Sequence, residues 1–274
     1  MSELAFLPGL PAERIRRCYE RAPGNEIASG KFSSPESSAA LVANTFGLFL
    51  EKPWMLPPLP GAADPGWPAH SVELEAVLRF PWSGGRHPCL DVIIETQTAL
   101  IGVESKRYEA YRLGSTRLSL SDAYRRDVWG ARMRGCRGIL DGLLDNASSG
   151  GARFDRLDAA QLVKHAFALR TAVHGPRKGS GSATGAKQRD VHGKLPVLYY
   201  LYAEPSTWPD GRKIAAADTE AHRVEVQQFE AAVAGDEVAF LACRYRDLLT
   251  AWKLDSNDVV RAHAAADEEQ FGPL

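Results

Sequence analysis

Apolar residues along this chain follow two rhythms. Around the middle they alternate with polar ones or run together in short branched stretches. This pattern predicts strands over Val72 to Phe80, Cys89 to Thr96 and Ala99 to Lys106, with Ser83-Gly84-Gly85 as a turn after the first. A fourth, strongly apolar strand is expected over Leu195 to Ala203, and a last one over 237–243. Elsewhere the spacing is helical. A short helix is expected over Ala12 to Arg21. A second starts at Ser33-Ser34-Pro35-Glu36, with Ser34 as cap and Pro35 in the first turn, and runs to about Leu50. There Leu41, Val42, Thr45, Phe46 and Phe49 share one face. Further helices are expected within 119–145, over 156–174, from Asp218 to Ala234 and from Tyr245 to Trp252.

Two stretches break both rhythms. Residues 53–69 hold six prolines, which fit neither a helix nor a central strand, and read as an ordered surface connector. Residues 175–194 are polar and glycine-rich and read as a flexible loop of net charge +4. The element order predicts an α/β protein with one mixed sheet and helices on its faces. The chain is read as a single domain over 1–274, with a helical and Pro-rich N-terminal extension (1–70) and the basic loop (175–194).

Composition narrows the function. With 45% hydrophobic and 24% charged residues, a globular soluble protein is expected. The net charge of −1 excludes a uniformly basic nucleic-acid coat and leaves room for a local patch. The longest apolar runs, such as Leu41 to Leu50, reach about half of the ~20 residues that span a bilayer, so no membrane partner is expected. The start of the chain shows no secretory pattern. Cys18, Cys89, Cys136 and Cys243 form no CxxC pair, which argues against a zinc knuckle and for reduced thiols in a cytoplasmic protein.

The chemistry concentrates in HPCLDVIIETQTALIGVESKRYE, residues 87–109. If Gln97 and Thr98 form the turn of a hairpin, Ile94 faces Ile101 and Asp91 faces Glu104. Val92, Ile94, Ile101 and Val103 then form an apolar face, while Asp91, Glu104 and Lys106 converge on the other. A slip of one residue would part the acids. Two carboxylates about 5 Å apart across a strand pair repel each other and call for a cation. Mg²⁺ suits them, as a hard ion bound by one or two carboxylates with phosphate and water. Lys106 beside it could orient or deprotonate a water, or stabilise charge on a phosphate. These are the parts of metal-assisted phosphodiester hydrolysis.

Asp91, twelve intervening residues and then Glu104-Ser105-Lys106 resemble the motif of the PD-(D/E)XK nuclease superfamily, the restriction-endonuclease-like fold. Leu90 stands where the motif's proline usually does. The segments SSAALVANTFG (37–47), VESKRYEAYR (103–112) and LYYLYAEP (198–205) look like a bacterial subfamily of that fold, so the resemblance spans most of 34–252. It implies a restriction-endonuclease-like core and an endonuclease-like hydrolase acting on nucleic acid, DNA first. Asp91 and Glu104 would bind Mg²⁺ or Mn²⁺ with the Ser105 carbonyl, and Lys106 would activate water. A further acid is expected from the first strand or first helix. Glu75 falls opposite Asp91 and is preferred, with Glu73 and Glu36 as alternatives. Gln161 and Lys164 are the candidates from the following helix, and Tyr108 and Glu109 could also face the site.

For the nucleic-acid backbone the candidates are Lys178, Lys187 and Arg189 of the basic loop, with a second cluster at Arg125, Arg126, Arg132, Arg134 and Arg137. His165 and His174 read as structural or exposed. The tryptophans are scattered and define no stacking platform. No phosphate loop, HExxH or GxSxG is present. The competing expectation is a catalytically inactive module of the same fold that binds nucleic acid or protein. A homodimer is left open, since nucleases that cut both strands often pair.

Overall fold

The structure, a computed structural model, describes residues 6–62, 66–80, 87–112, 122–126, 129–144, 154–175 and 191–274. Among these residues five strands form one mixed sheet in chain order: β1 (Ser71–Val77), β2 (Cys89–Glu95), β3 (Ala99–Lys106), β4 (Leu195–Tyr202) and β5 (Ala239–Arg244). The first three run as an antiparallel meander, and β4 and β5 add in parallel. Parallel neighbours need crossovers, and helices lie within both. Helices α3 (Arg134–Leu144) and α4 (Ala159–His174) fall between β3 and β4, and α5 (Ala216–Val233) falls between β4 and β5. The central strands β3 and β4 are buried almost throughout and read as apolar runs, whereas the edge strand β1 alternates.

Helices cover both faces. One apolar layer joins the sheet to α1 (Ala12–Arg21), α2 (Ser38–Gly47), α6 (Tyr245–Lys253) and α7 (Asp258–Phe271). The other joins it to α3, α4 and α5. Gly102 sets the second layer's distance. A Cβ there would lie 2.9 Å from Leu90 and 3.0 Å from Leu169, so only glycine lets α4 sit this close to β3.

The α/β class, the mixed sheet and every predicted strand are present, with ends shifted by no more than three residues. Four local expectations are corrected. Helix α2 starts at Ser38, capped by Ser37, whose Oγ accepts the Ala40 N–H at 3.0 Å. Ser34 instead closes a small turn on the Glu36 N–H, because Arg107 takes the Pro35 carbonyl at 2.7 Å and holds that segment out of the helix. Of the helix expected within 119–145, the described residues hold a 3-10 turn at Asp122–Arg125 and then α3. Between them Gly130, at φ +76°, breaks the run. The Pro-rich connector is more than a surface strap, since Leu56, Leu59, Ala62 and Ala69 are buried in the first layer. Helix α7 was not foreseen. The turn at 83–85 and nearly all of the basic loop, including Lys178, Lys187 and Arg189, lie outside the described residues. No described helix is long and apolar enough to cross a membrane.

Candidate active site

The β2–β3 register is the one the hairpin predicts: Ile94 pairs with Ile101 and Val92 with Val103. The main-chain ladder stops there. One step further, the Asp91 carboxylate replaces a strand partner and accepts the Ser105 N–H at 2.6 Å. Asp91 is thereby tied to β3 beside Glu104. The apolar face packs into the first layer as expected.

A change of face in β1 and β2 makes room for the acids. Up to this level Val72, Leu74, Val92 and Ile94 point into the first layer, and beyond it Ala76 and Leu90 point into the second. Glu75 lies at the switch with φ +53°, a left-handed conformation that costs a non-glycine residue about 1–3 kcal/mol. It falls between the pairs Leu74–Val92 and Ala76–Leu90, opposite Asp91 as the sequence suggested.

Helix α4 supplies the rest. Leu169 rests on Gly102 and His165 reaches Glu104, with Nδ1 3.1 Å from Oε2. Gln161 reaches the cleft. A step of four on a helix advances about 6 Å. A step of two on a strand advances about 6.6 Å. The stripe Leu169, His165, Gln161 therefore keeps pace with Gly102, Glu104, Lys106 running the other way.

These side chains line a cleft of about 530 Å³ with Glu75, Asp91, Glu104, Ser105, Lys106, Glu109 and Gln161 in its wall. Glu104 is its most buried charge, at 2% exposure. Lys106 Nζ donates to Glu104 Oε1 at 2.5 Å, while Oε2 has no hydrogen-bond partner, the His165 ring being close but out of line. Burial would raise the Glu104 pKa, but Lys106 and His165 overcome it and hold the group down at about 2. Burial would also strip Lys106 of its proton, and Glu104, Glu109 and Asp91 reverse this and raise it above the ordinary lysine value. Asp91 has the opposite balance: burial and then the charges of Glu104 and Glu75 push it well above the carboxylate range. Glu75 rises to about 7, through burial and against the Cys89 thiol that donates to it at 3.4 Å.

The remaining candidates separate. Glu36 lines the cleft but pairs with Arg112 at 2.5 Å, and Glu109 is engaged by Ser38 Oγ at 2.6 Å and by the Arg107 and Tyr108 N–H groups. Glu73 does not line it. Lys164 is turned away, its ammonium 5.8 Å from the Tyr124 ring centroid. Tyr108 faces a neighbouring groove. Arg126, Arg132 and Arg134 are exposed. His165, read as structural or exposed, is buried against Glu104. Its place four residues after Gln161 was the available signal.

Among the described residues no three His, Cys, Asp or Glu side chains converge as a ready metal cage. The oxygen donors present still suit a hard divalent ion. Glu104 Oε2 is buried and unbonded, Asp91 is beside it, and such ions are held by one or two carboxylates with main-chain oxygen, water and phosphate. Scanned against protein-family models, and compared with curated proteins and with solved structures, the chain matches none.

Proposed function

We propose that the chain is a divalent-metal-dependent nuclease of the PD-(D/E)XK type, with a restriction-endonuclease-like core, that hydrolyses phosphodiester bonds in nucleic acid, DNA first. The observation that carries the reading is the meeting of Asp91, Glu104 and Lys106 in one cleft, with Asp91 fixed to the main chain at Ser105. The order of helix, three antiparallel strands, helices and a parallel fourth strand supports it.

Asp91, Glu104 and the Ser105 carbonyl would hold Mg²⁺ or Mn²⁺. Such an ion supplies Lewis acidity toward a phosphate oxygen and acidity to a bound water. The chain's own groups do the positioning. Glu104 is ionised and held by Lys106 and His165. Lys106, whose ammonium donates to Glu104 at the cleft wall, would orient the attacking water or donate to a phosphate oxygen and offset the charge that grows there. Gln161 offers an amide to orient a water or a phosphate oxygen, and Glu75 adds a carboxylate next to Asp91.

The test is Asp91→Asn. Asn keeps an acceptor for the Ser105 N–H and can no longer ionise to bind a cation. Cleavage of single- and double-stranded DNA and of RNA is followed with Mg²⁺ and Mn²⁺. The expected result is metal-dependent cleavage by the natural protein, about 10³-fold or more slower in the variant, with an unchanged melting temperature. Mn²⁺ titration should show binding that the variant loses. Metal binding without cleavage of any substrate would leave the inactive nucleic-acid-binding module as the reading.

A further inference from the structure

Next to the cleft lies a second cavity of about 550 Å³ with a different lining. The two share Ser34, and consecutive residues of β3 and its extension serve them in turn, Lys106 in the cleft and Arg107 and Tyr108 in the groove. The groove's wall is aromatic. The Tyr108 and Trp208 rings stack, with centroids 5.3 Å apart and planes 22° apart, and the Phe271 ring stands 5.1 Å from the Arg107 guanidinium. Trp208 is half-buried, so it is not spent on the core. Among the described residues no acid lines the groove, and Arg107 is its one charged side chain.

Arg107 is the second observation. It is 7% exposed, and its two terminal nitrogens donate to the Pro35 and Phe271 carbonyls, yet its buried Nε has no acceptor. That nitrogen is sealed from the groove; the guanidinium backs the wall instead, 5.3 Å from the Tyr108 ring and 5.1 Å from the Phe271 ring, and holds both in place. Outside the groove, Arg212 lies 5.6 Å over the Trp208 ring and pairs with Asp210 at 2.7 Å, so the mouth carries an ion pair beside the aromatic wall.

We infer that this groove takes an unpaired nucleobase of the strand whose phosphate occupies the cleft, so that the substrate is single-stranded or locally unpaired nucleic acid. This rests on the nuclease reading of the cleft. A base is flat, apolar on its faces and polar at its rim, which matches an aromatic wall edged by the side chains of Ser34, Thr207 and Gln270. The cavity accommodates a nucleoside, and Ser34 lines both it and the cleft, so the two adjoin as neighbouring positions on one strand require. A paired base has both faces covered and cannot enter.

The experiment uses the full chain and a fluorescein-labelled 12-nucleotide single-stranded DNA, its duplex, and a set of single strands with one abasic position moved along the sequence. Binding is read by anisotropy in EDTA, and cleavage separately with Mn²⁺. The single strand is expected to bind about tenfold more tightly than the duplex, with a similar loss confined to one or two abasic positions. Trp208→Ala should lose about tenfold on the intact strand and nothing further on the strand already abasic at the sensitive position, and Trp208→Phe should recover most of the loss. That non-additivity is what a merely structural role would not give.

A flat abasic profile, or equal affinity for duplex and single strand, overturns the inference even if the protein cleaves DNA. A position-dependent profile without cleavage keeps the groove and removes the hydrolytic reading. A decaproline peptide that binds through Trp208 where the oligonucleotide does not would also overturn it.

Discussion

Glu104 and Asp267 are both acids, both essentially buried, and lie on opposite faces of the same sheet. Glu104 is 2% exposed and Asp267 fully buried, and each leaves one carboxylate oxygen without a hydrogen-bond partner. Their charge states differ. Glu104 has the Lys106 ammonium at 2.5 Å and the His165 ring beside it, and is held down at about 2. Asp267 has the Thr45 hydroxyl at 2.6 Å, and burial lifts it to about 7 despite that bond and the more remote Arg107. Burial alone therefore does not mark a chemical site. A buried acid kept ionised by a cation is equipped to hold a metal or a phosphate-bound water; Asp91 and Glu75 are raised like Asp267 but line the cleft beside Glu104, whereas Asp267 lines no cleft among the described residues and serves the core as a hydrogen-bonding group.

The largest effect comes from taking the cation away from the first member of the pair. Lys106→Met should leave Glu104 buried with only the His165 ring, and destabilise the fold by about 5 kcal/mol, as stranded buried charges do. Glu104→Gln added to Lys106→Met should return most of that loss, since neither charge then remains. Urea unfolding of the natural chain and both variants at pH 7 measures this. A loss below about 1 kcal/mol in the single variant would mean that Lys106 is not what keeps Glu104 ionised, and the contrast with Asp267 would need another cause.

Much of the Glu104 side was legible in the chain. Val92, Ile94, Ile101 and Val103 favour this hairpin register, because a slip of one residue would turn one strand's apolar pair out of the core, and the register brings Asp91 to Glu104. The fit of α4 was half legible. The run of apolar residues showed a helix facing the sheet, but its phase depends on the Leu169–Gly102 contact, a tertiary fact, so His165 was passed over. On the Asp267 side the buried face of Thr45 and the helix from Tyr245 were legible, but Asp267 and its helix were not. Helix α7 carries Asp258, Arg261, Asp267, Glu268 and Glu269 among its apolar positions, and its buried stripe of Val260, Ala264 and Phe271 is thin. The Ser34 cap failed for a similar reason: a local signal was overridden by Arg107, more than seventy residues away. Trp208 and Tyr108 are a hundred residues apart, so only the folded chain makes them a stacking wall.

The second prediction sharpens the comparison from the other side. Thr45 has one hydroxyl proton but approaches two acceptors, the Leu41 carbonyl at 2.9 Å and Asp267 Oδ2. A protonated Asp267 resolves this, donating to Thr45 while Thr45 donates to Leu41. Because the folded-state pKa lies above the unfolded one, the folded chain binds more protons between about pH 4 and pH 7. Stability from this group is then complete below about pH 4 and lost as pH rises through 7. Asp267→Asn keeps a donor toward Thr45 and has no charge to bury. It should match the natural chain near pH 4 and exceed it by up to about 4 kcal/mol at pH 8. Thermal melts across that range decide it, and parallel curves for the two proteins would show that Asp267 is ionised in the fold.

The smallest effect tests whether the cleft itself holds strain that the Asp267 side lacks. Glu75 sits at φ +53° and carries a carboxyl lifted to about 7, so it combines a disfavoured backbone with a disfavoured charge. No contact in the first apolar layer depends on its side chain, and glycine occupies this backbone region freely. Glu75→Gly should therefore stabilise the fold, by about 1 kcal/mol, while slowing any metal-dependent cleavage. The two readouts must move in opposite directions. A variant that is less stable and equally active would mean that the left-handed turn at β1 serves packing alone, and that the change of face beside Asp91 is not maintained for the carboxylate it presents.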